Sequence, residues 1–473
     1  MTADGFDAVV VGSGPNGLVA AVTLAEAGRR VLLVEAADRV GGALRSESFT
    51  LPGFVHDVGA TVLPLALSSE AFRALRPQDH GVTWAQPEIP IAHPLEGADA
   101  VLVHRSVEET AAALGRDARA WRALVGATAD AGLPLVDTLM SPFSLPRAPL
   151  AAARYGVSGA LPASVLSRLA FREAPSRAMF AGIAAHAVLD LAQPITAGYA
   201  LLMAALAHSV GWPVVQGGSE RLAEVLAARL LALGGEIHTG TTVRSLRDVP
   251  PARSVLLDLT PRQVVAVAGD ALPPRYRARL DRYRYGPAVF KMDWALDGPV
   301  PWSDPRVAAA GTIHVAGSFE EVVASERAMS RGRFSDRPYV LAVQPTAADP
   351  TRAPAGRHVF WAYCHVPNSS TVDRTDVIED QIERFAPGFR ERILARHVMS
   401  PKELEAYDAN LVGGDIVGGA ADLRQFVARP VLGLHPWATP VKGLYICSAS
   451  TSPGGGVHGM CGYNAAKLAL KRS

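Results

Sequence analysis

Gly12-Ser13-Gly14-Pro15-Asn16-Gly17 follows directly on the apolar run Asp7-Ala8-Val9-Val10-Val11, and this junction constrains the chain more than any other stretch. The β-branched run reads as a buried parallel strand. Leu18 to Ala27, rich in Ala and Leu, reads as a helix with Gly28 at its C-cap, and Val31-Leu32-Leu33-Val34 reads as the second strand. A glycine turn between strand and helix has a definite physical use. Gly12 permits the tight turn, Gly14 lets the backbone approach a pyrophosphate, and Gly17 lets the helix pack close to the strand. Free N–H groups at the helix start, at the positive end of its dipole, then face a diphosphate. Glu35, with Ala36 beside it, ends the second strand where a carboxylate accepts hydrogen bonds from an adenosine ribose and repels the extra phosphate of NADP.

Asp38-Arg39-Val40-Gly41-Gly42-Ala43-Leu44-Arg45 comes next, where an NAD-binding domain would simply enter its next helix. The stretch resembles the Arg-x-Gly-Gly motif of flavoproteins with two dinucleotide-binding domains. That resemblance implies FAD, with Gly41, Gly42, Ala43 and Leu44 close to its diphosphate and ribityl chain. Arg39 and Arg45 become candidate charge partners for the diphosphate.

At 473 residues the chain exceeds what one hydrophobic core usually supports, so two or three domains are expected. Hydrophobic residues at 49% and charged ones at 19% exclude disorder. Forty-six basic residues against 45 acidic ones, with no basic stripe, argue against a nucleic-acid partner. Cys364, Cys447 and Cys461 are scattered, which suits neither a disulfide framework nor a metal site and fits a reducing, cytoplasmic compartment. Met1 to Asp7 carries acids where a signal peptide needs basic residues, and reads as a mature start. The apolar stretches Ala178 to Leu191 and Ala197 to Val210 are interrupted by His186, Asp190 and His208, and are too short to span a bilayer. Their greasiness is compatible with peripheral contact with a membrane; no oligomeric state is assigned.

Later segments return to the same theme. Val215 to Ser219 precedes an amphipathic helix, Glu220 to Leu233, ended by Gly234-Gly235. Glu236 to Leu246 reads as a strand pair around Thr239-Gly240, and Ser254 to Leu259 as another buried strand. Gly443 to Cys447 reads as a strand, Ser448 to Gly456 as a small-residue loop, and Val457 to Leu470 as a helix. A helix N-terminus aimed at a flavin stabilises the negative charge of the reduced ring, so Gly456, Val457 and His458 are candidate flavin neighbours.

Taken together, Val9 to Gly42, Gly53 to Gly59, Gln216 to Ser219, Leu257 to Arg262, Tyr285 to Trp294 and Ser448 to Asn464 resemble the phytoene desaturase-like branch of the amine oxidase superfamily. The resemblance implies an α/β fold. Its Rossmann-type FAD-binding domain would be assembled from three segments, residues 1–65, 212–290 and 430–473. Residues 66–211 and 291–429 would form a mixed α+β substrate domain with a helical cap over a lipophilic substrate. The stretch from the 70s to Gly211 looks mainly helical, Lys291 to Asp293, Tyr339 to Gln344 and His358 to His365 look like antiparallel strands, and Asp376 to His397 looks helical with a break at Pro387-Gly388.

The resemblance also assigns roles. The backbone of Val243 meets the adenine, Ser450 stands where amine oxidases place an acid on the ribityl chain, and Lys291 aligns with their lysine near flavin N5. His365 and His458 are further candidates for acid/base work. The expected reaction is hydride transfer from a hydrophobic, isoprenoid- or polyene-like small molecule to flavin N5. The alternatives are an oxygen-using amine oxidase and a protein that keeps its flavin but acts by binding partners.

Overall fold

Two sheets carry the architecture. In the computed structural model, which describes residues 5–141 and 145–472, a five-stranded parallel sheet runs in the order Leu444–Ile446, Ala252–Leu257, Phe6–Val11, Val31–Val34, Glu236–His238. Met1 to Asp4 of the acidic N-terminal stretch and residues 142–144 of the apolar helical block lie outside the described residues. Phe6–Val11 sits at the centre with Val9 and Val10 wholly buried, as expected of a parallel strand covered on both faces. The helices Pro15–Glu26, Glu220–Ala232 and Met460–Arg472 pack together over one face through Leu18, Val22, Leu222, Leu226 and Ala466. The other face is covered by Pro261–Ala268 and Pro274–Leu280, with Val264 and Leu280 in its core.

The second sheet has seven strands, in the order Ile393–Met399, Ala288–Leu296, His358–Val366, Val340–Val343, Ala310–Val315, Ile89–Leu95, Ala98–Val103. One face packs on Trp294, Phe360 and Phe389; helices drawn mostly from residues 107–209 cover much of the other. Among the described residues no single helix is long and apolar enough to cross a membrane.

The structure corrects four sequence expectations. Ile89–Leu95 and Ala98–Val103 are strands inside the stretch read as mainly helical. Asp376 to His397 is α-helical only over Thr375–Glu383, with a short 3-10 turn at Arg390–Arg392; its end lies in the edge strand Ile393–Met399, whose half-buried alternation suits a sheet margin. The strand pair around Thr239-Gly240 is a single short strand, Glu236–His238, because the chain beyond it turns to hydrogen-bond Ala37 and Glu35 instead. The last helix begins at Met460 rather than Val457, since Gly459 holds a left-handed φ of 66°.

A buried ion cluster ties the segment after the Gly41-Gly42 loop to the connection between Val340–Val343 and His358–Val366. Arg352, fully buried, bridges Asp57 at 2.5 Å and Asp349 at 3.3 Å. Burial opposes the charge on Asp57, but the Arg352 guanidinium outweighs it and holds the carboxyl below its usual range. Such a cluster contributes little net stability, yet removing one member strands the others.

Candidate active site

The glycine turn adopts the geometry its sequence demands. Gly12 holds φ at 97°, which a side chain rarely tolerates, and a Cβ on Gly17 would stand 2.0 Å from the Gly12 carbonyl oxygen. Gly14 precedes the first helix and Pro15 opens it; no N-cap side chain and no acid of its own first turn satisfies its N-terminal N–H groups, of which the Gly17 N–H is taken by Asp258 Oδ2. Gly41 N–H donates to the Ser13 carbonyl at 3.0 Å, laying the Gly41-Gly42 loop on the turn. The two backbones come close: a Cβ on Gly42 would lie 3.1 Å from Gly14 Cα. Glu35 accepts from Ser13 N–H at 2.9 Å and from Ala37 N–H at 2.8 Å, so its carboxylate is fixed at the end of the second strand. Asn16 Oδ1 is buried there without a partner. A helix start without an N-cap side chain, a backbone cradle that a methyl group would fill and a fixed carboxylate at the end of the second strand together fit the ADP half of FAD.

Beyond the turn a cavity of about 320 Å³ runs onto the face of the seven-stranded sheet. Of the residues singled out from sequence, Gly14, Pro15, Asn16, Ala43, Leu44, Lys291, Ser450, Gly456 and Val457 border it. Ser450 donates its hydroxyl to the Gly418 carbonyl at 2.8 Å.

Lys291 and Asp293 point to the same side of Ala288–Leu296, two residues apart. The Lys291 ammonium meets Asp293 Oδ1 at 2.6 Å and Oδ2 at 2.5 Å and lies 5.3 Å from the Trp361 ring centre. Burial works against the Asp293 charge, but Lys291 and His56 hold its pKa below the ordinary value. The ammonium borders the cavity already neutralised.

Other residues expected in the site lie elsewhere. His458 has both ring nitrogens engaged: Nδ1 accepts from Met460 N–H at 3.0 Å and Nε2 donates to the Gly454 carbonyl at 3.1 Å. Burial takes its pKa down to about 4, and it shapes the entry to the last helix without reaching the cavity. His365 is bonded through Nδ1 to Glu326 at 2.8 Å, flanked by Tyr339 and Tyr363, and also misses the cavity. Arg39 is taken by Glu220 at 3.0 Å and by Glu47. Arg45 is the buried arginine of that loop, bonding the Gly42 carbonyl and lying over Tyr407. Val243 lies in the coil after Glu236–His238 and packs against the outer core of the parallel sheet. Gly12, Gly17, Glu35, Ala36, Gly41 and Gly42 frame the turn rather than the cavity wall.

Three cavity residues carry chemistry that sequence reasoning passed over. Asp258 ends Ala252–Leu257 and its Oδ2 accepts the Gly17 N–H at 2.8 Å, against the glycine turn. Burial, with Asp408 and Glu35 adding repulsion, pushes its pKa up to about 8. It is therefore protonated at neutral pH, which lets a diphosphate approach an otherwise acidic corner. Asp408, also on the cavity, is raised by burial and stands beside Gly42. His186, from the apolar helical block, borders the far wall. Its signal in sequence was only an interruption of that block, because its partner His314 lies 128 residues away.

Residues 10–76 match the model of an NAD(P)-binding Rossmann-like domain. Over 98% of its length the chain is 28% identical to pyridine nucleotide-disulfide oxidoreductase domain-containing protein 2 of Rattus norvegicus, covering 93% of that protein. It is 26% identical to the neurosporene-forming phytoene desaturase of Rhodobacter capsulatus over 55% of this chain and 54% of that one. An engineered variant of putrescine oxidase superposes with a TM-score of 0.63 at 18% identity, over 99% of both chains.

Proposed function

We propose that this chain, an FAD-dependent oxidoreductase similar to the phytoene desaturases and amine oxidases, dehydrogenates a neutral, hydrophobic molecule lying on the face of the mixed sheet. FAD bound in the cradle supplies the hydride acceptor at N5. The protein's part is to hold a C–H bond against that ring and to exclude water.

The observation that carries this reading is the uncharged lining of the sheet end. Val289, Leu341, Val343, Trp361 and Tyr363 form its floor, and Lys291, the one cation there among the described residues, is met by Asp293. The cavity's acids among the described residues, Asp258 and Asp408, stand against Gly17 and Gly42 at the opposite end. An ammonium on the sheet would have no anion to meet it, and desolvating it would cost several kcal/mol. Trp361 and Tyr363 lie side by side on one strand, 5.8 Å apart and inclined at 25°, as a floor and not as two facing walls around an amine. The phytoene desaturase relative, whose name denotes a polyene substrate, supports the same class.

Mixing the FAD-loaded protein anaerobically with a panel of lipophilic alkenes, alcohols and ketones should bleach the flavin absorbance with at least one of them. Rapid reduction by amines instead, with peroxide released on admitting air, would overturn the proposal.

A further inference from the structure

We propose that the end of the cavity remote from the glycine turn is a polar subsite, built by His186 and Thr312, for a neutral oxygen at the far end of the substrate. The inference rests on the reading of the cavity as a site for a neutral apolar molecule and names a second requirement on it.

The distance comes from strand register. His314 pairs with Leu341, Leu341 with Tyr363, and Tyr363 with Lys291, so the four side chains form one row across the sheet. Three strand spacings separate its ends, about 14 Å in all. His186 Nε2 lies 2.9 Å from His314 Nε2 and therefore sits at the end of the row opposite Lys291. A group there is beyond reach of a bond reacting near Lys291 but within reach of the other end of an elongated molecule.

The chemistry comes from the protons. Burial takes the His186 pKa down to about 4 and that of His314 well below its usual value, so the pair is neutral and shares one proton along its bond. His314 Nδ1 is buried with no partner. An orphaned lone pair costs less than an orphaned N–H, so His314 carries its proton on Nε2 and donates it to His186. His186 is then protonated on Nδ1, so a ring that lines the cavity keeps a donor beyond its bond to His314. Thr312 adds a second: its Oγ1 accepts from Trp212 Nε1 at 2.8 Å, which leaves its hydroxyl proton to donate. Two donors with no acceptor among the described residues suit the two lone pairs of a carbonyl or hydroxyl oxygen, and offer nothing to an ammonium.

The backbone adds a separate sign. His186 lies in a single 3-10 turn, Ala185–Ala187, closed by Val188 at a φ of 53°. A β-branched residue in the left-handed region is strained, and such strain persists where the surroundings fix a side chain's aim.

Calorimetric titration of the FAD-loaded protein with 2-undecanone, undecane and undecylamine separates the possibilities. The ketone should bind roughly five- to tenfold more tightly than the alkane, the worth of one or two buried hydrogen bonds. His186→Phe and, independently, Thr312→Val should each narrow that gap while leaving the alkane's affinity near its starting value. In ¹⁵N-histidine spectra the His186 ring should show a protonated Nδ1. Equal binding of ketone and alkane, or a gap unmoved by either substitution, overturns the subsite and leaves the apolar reading standing. Tightest binding of the amine would overturn that reading itself.

Discussion

Asp258 shows how one side chain sets the electrostatics of an anion site. A carboxylate beside a diphosphate would be repulsive, but burial keeps this one protonated through neutral pH. The linkage has a definite sign. A carboxyl whose folded pKa is raised contributes stability that is full below its ordinary value of 3.8 and is lost as pH climbs toward about 8. Asp258→Asn removes that loss, so its melting temperature relative to the native protein should rise steadily between pH 4 and pH 8 and stay level above. A difference independent of pH would show that Asp258 is ionised in the folded state. Lys291 poses the complementary case. Lys291→Met strands the Asp293 carboxylate in the interior, and urea unfolding should register a loss of about 3–5 kcal/mol, much of it recovered by the double change with Asp293→Leu. A loss under 1 kcal/mol would mean that water reaches Asp293.

Elements differ in how plainly the sequence announces them. The first strand, turn and helix are local, contiguous and governed by glycine geometry, and they stand where the residues placed them. Ile89–Leu95 escaped notice because Pro90 and Pro94 lie within it, and proline removes the ladder donor that identifies an interior strand. Its neighbour Ala98–Val103 ends in the unbroken apolar run Ala100 to Val103, which suits strand and helix equally. Lys291, Ser450, Gly456 and Val457 were readable as cavity residues from their motifs. His186, Thr312 and Asp258 were not, since each acquires its meaning from a partner on a distant strand or turn. His458 misled because a histidine next to a glycine loop reads as reactive, whereas both its nitrogens serve the local backbone.

At the same scale, the first and last helices meet at Gly462, where an added Cβ would stand 1.9 Å from the Asn16 carbonyl oxygen. Gly462→Ala must push apart the helices that frame the cofactor, so the purified protein should carry less flavin and melt several degrees lower. Gly156→Ala, whose methyl meets nothing within 4 Å, supplies the control and should leave both measurements near native values.

Across the whole molecule, histidines held neutral by their surroundings set the acid limit. His93, His186 and His458 have pKa values taken down to about 4 by burial, and His314 lies well below its ordinary value. Each must stay neutral in the folded chain while its unfolded counterpart protonates near 6.5, so stability present above that pH is lost as pH falls toward 4. Acid unfolding followed by circular dichroism should therefore be steep between pH 6.5 and 4. His93→Gln should shallow it; a transition confined below pH 4 would mean that these rings protonate without unfolding.

The parallel sheet is completed at one edge by Leu444–Ile446, beside Ala252–Leu257, which itself borders Phe6–Val11. Translation at about 5–20 residues per second separates the first of these strands from the last by tens of seconds. Throughout that interval the glycine turn exists without the wall that Ser448 to Val457 will supply. Loading of the cofactor should therefore wait until residues 444–457 have been made, and a nascent chain stalled on the ribosome before residue 444 should stay colourless.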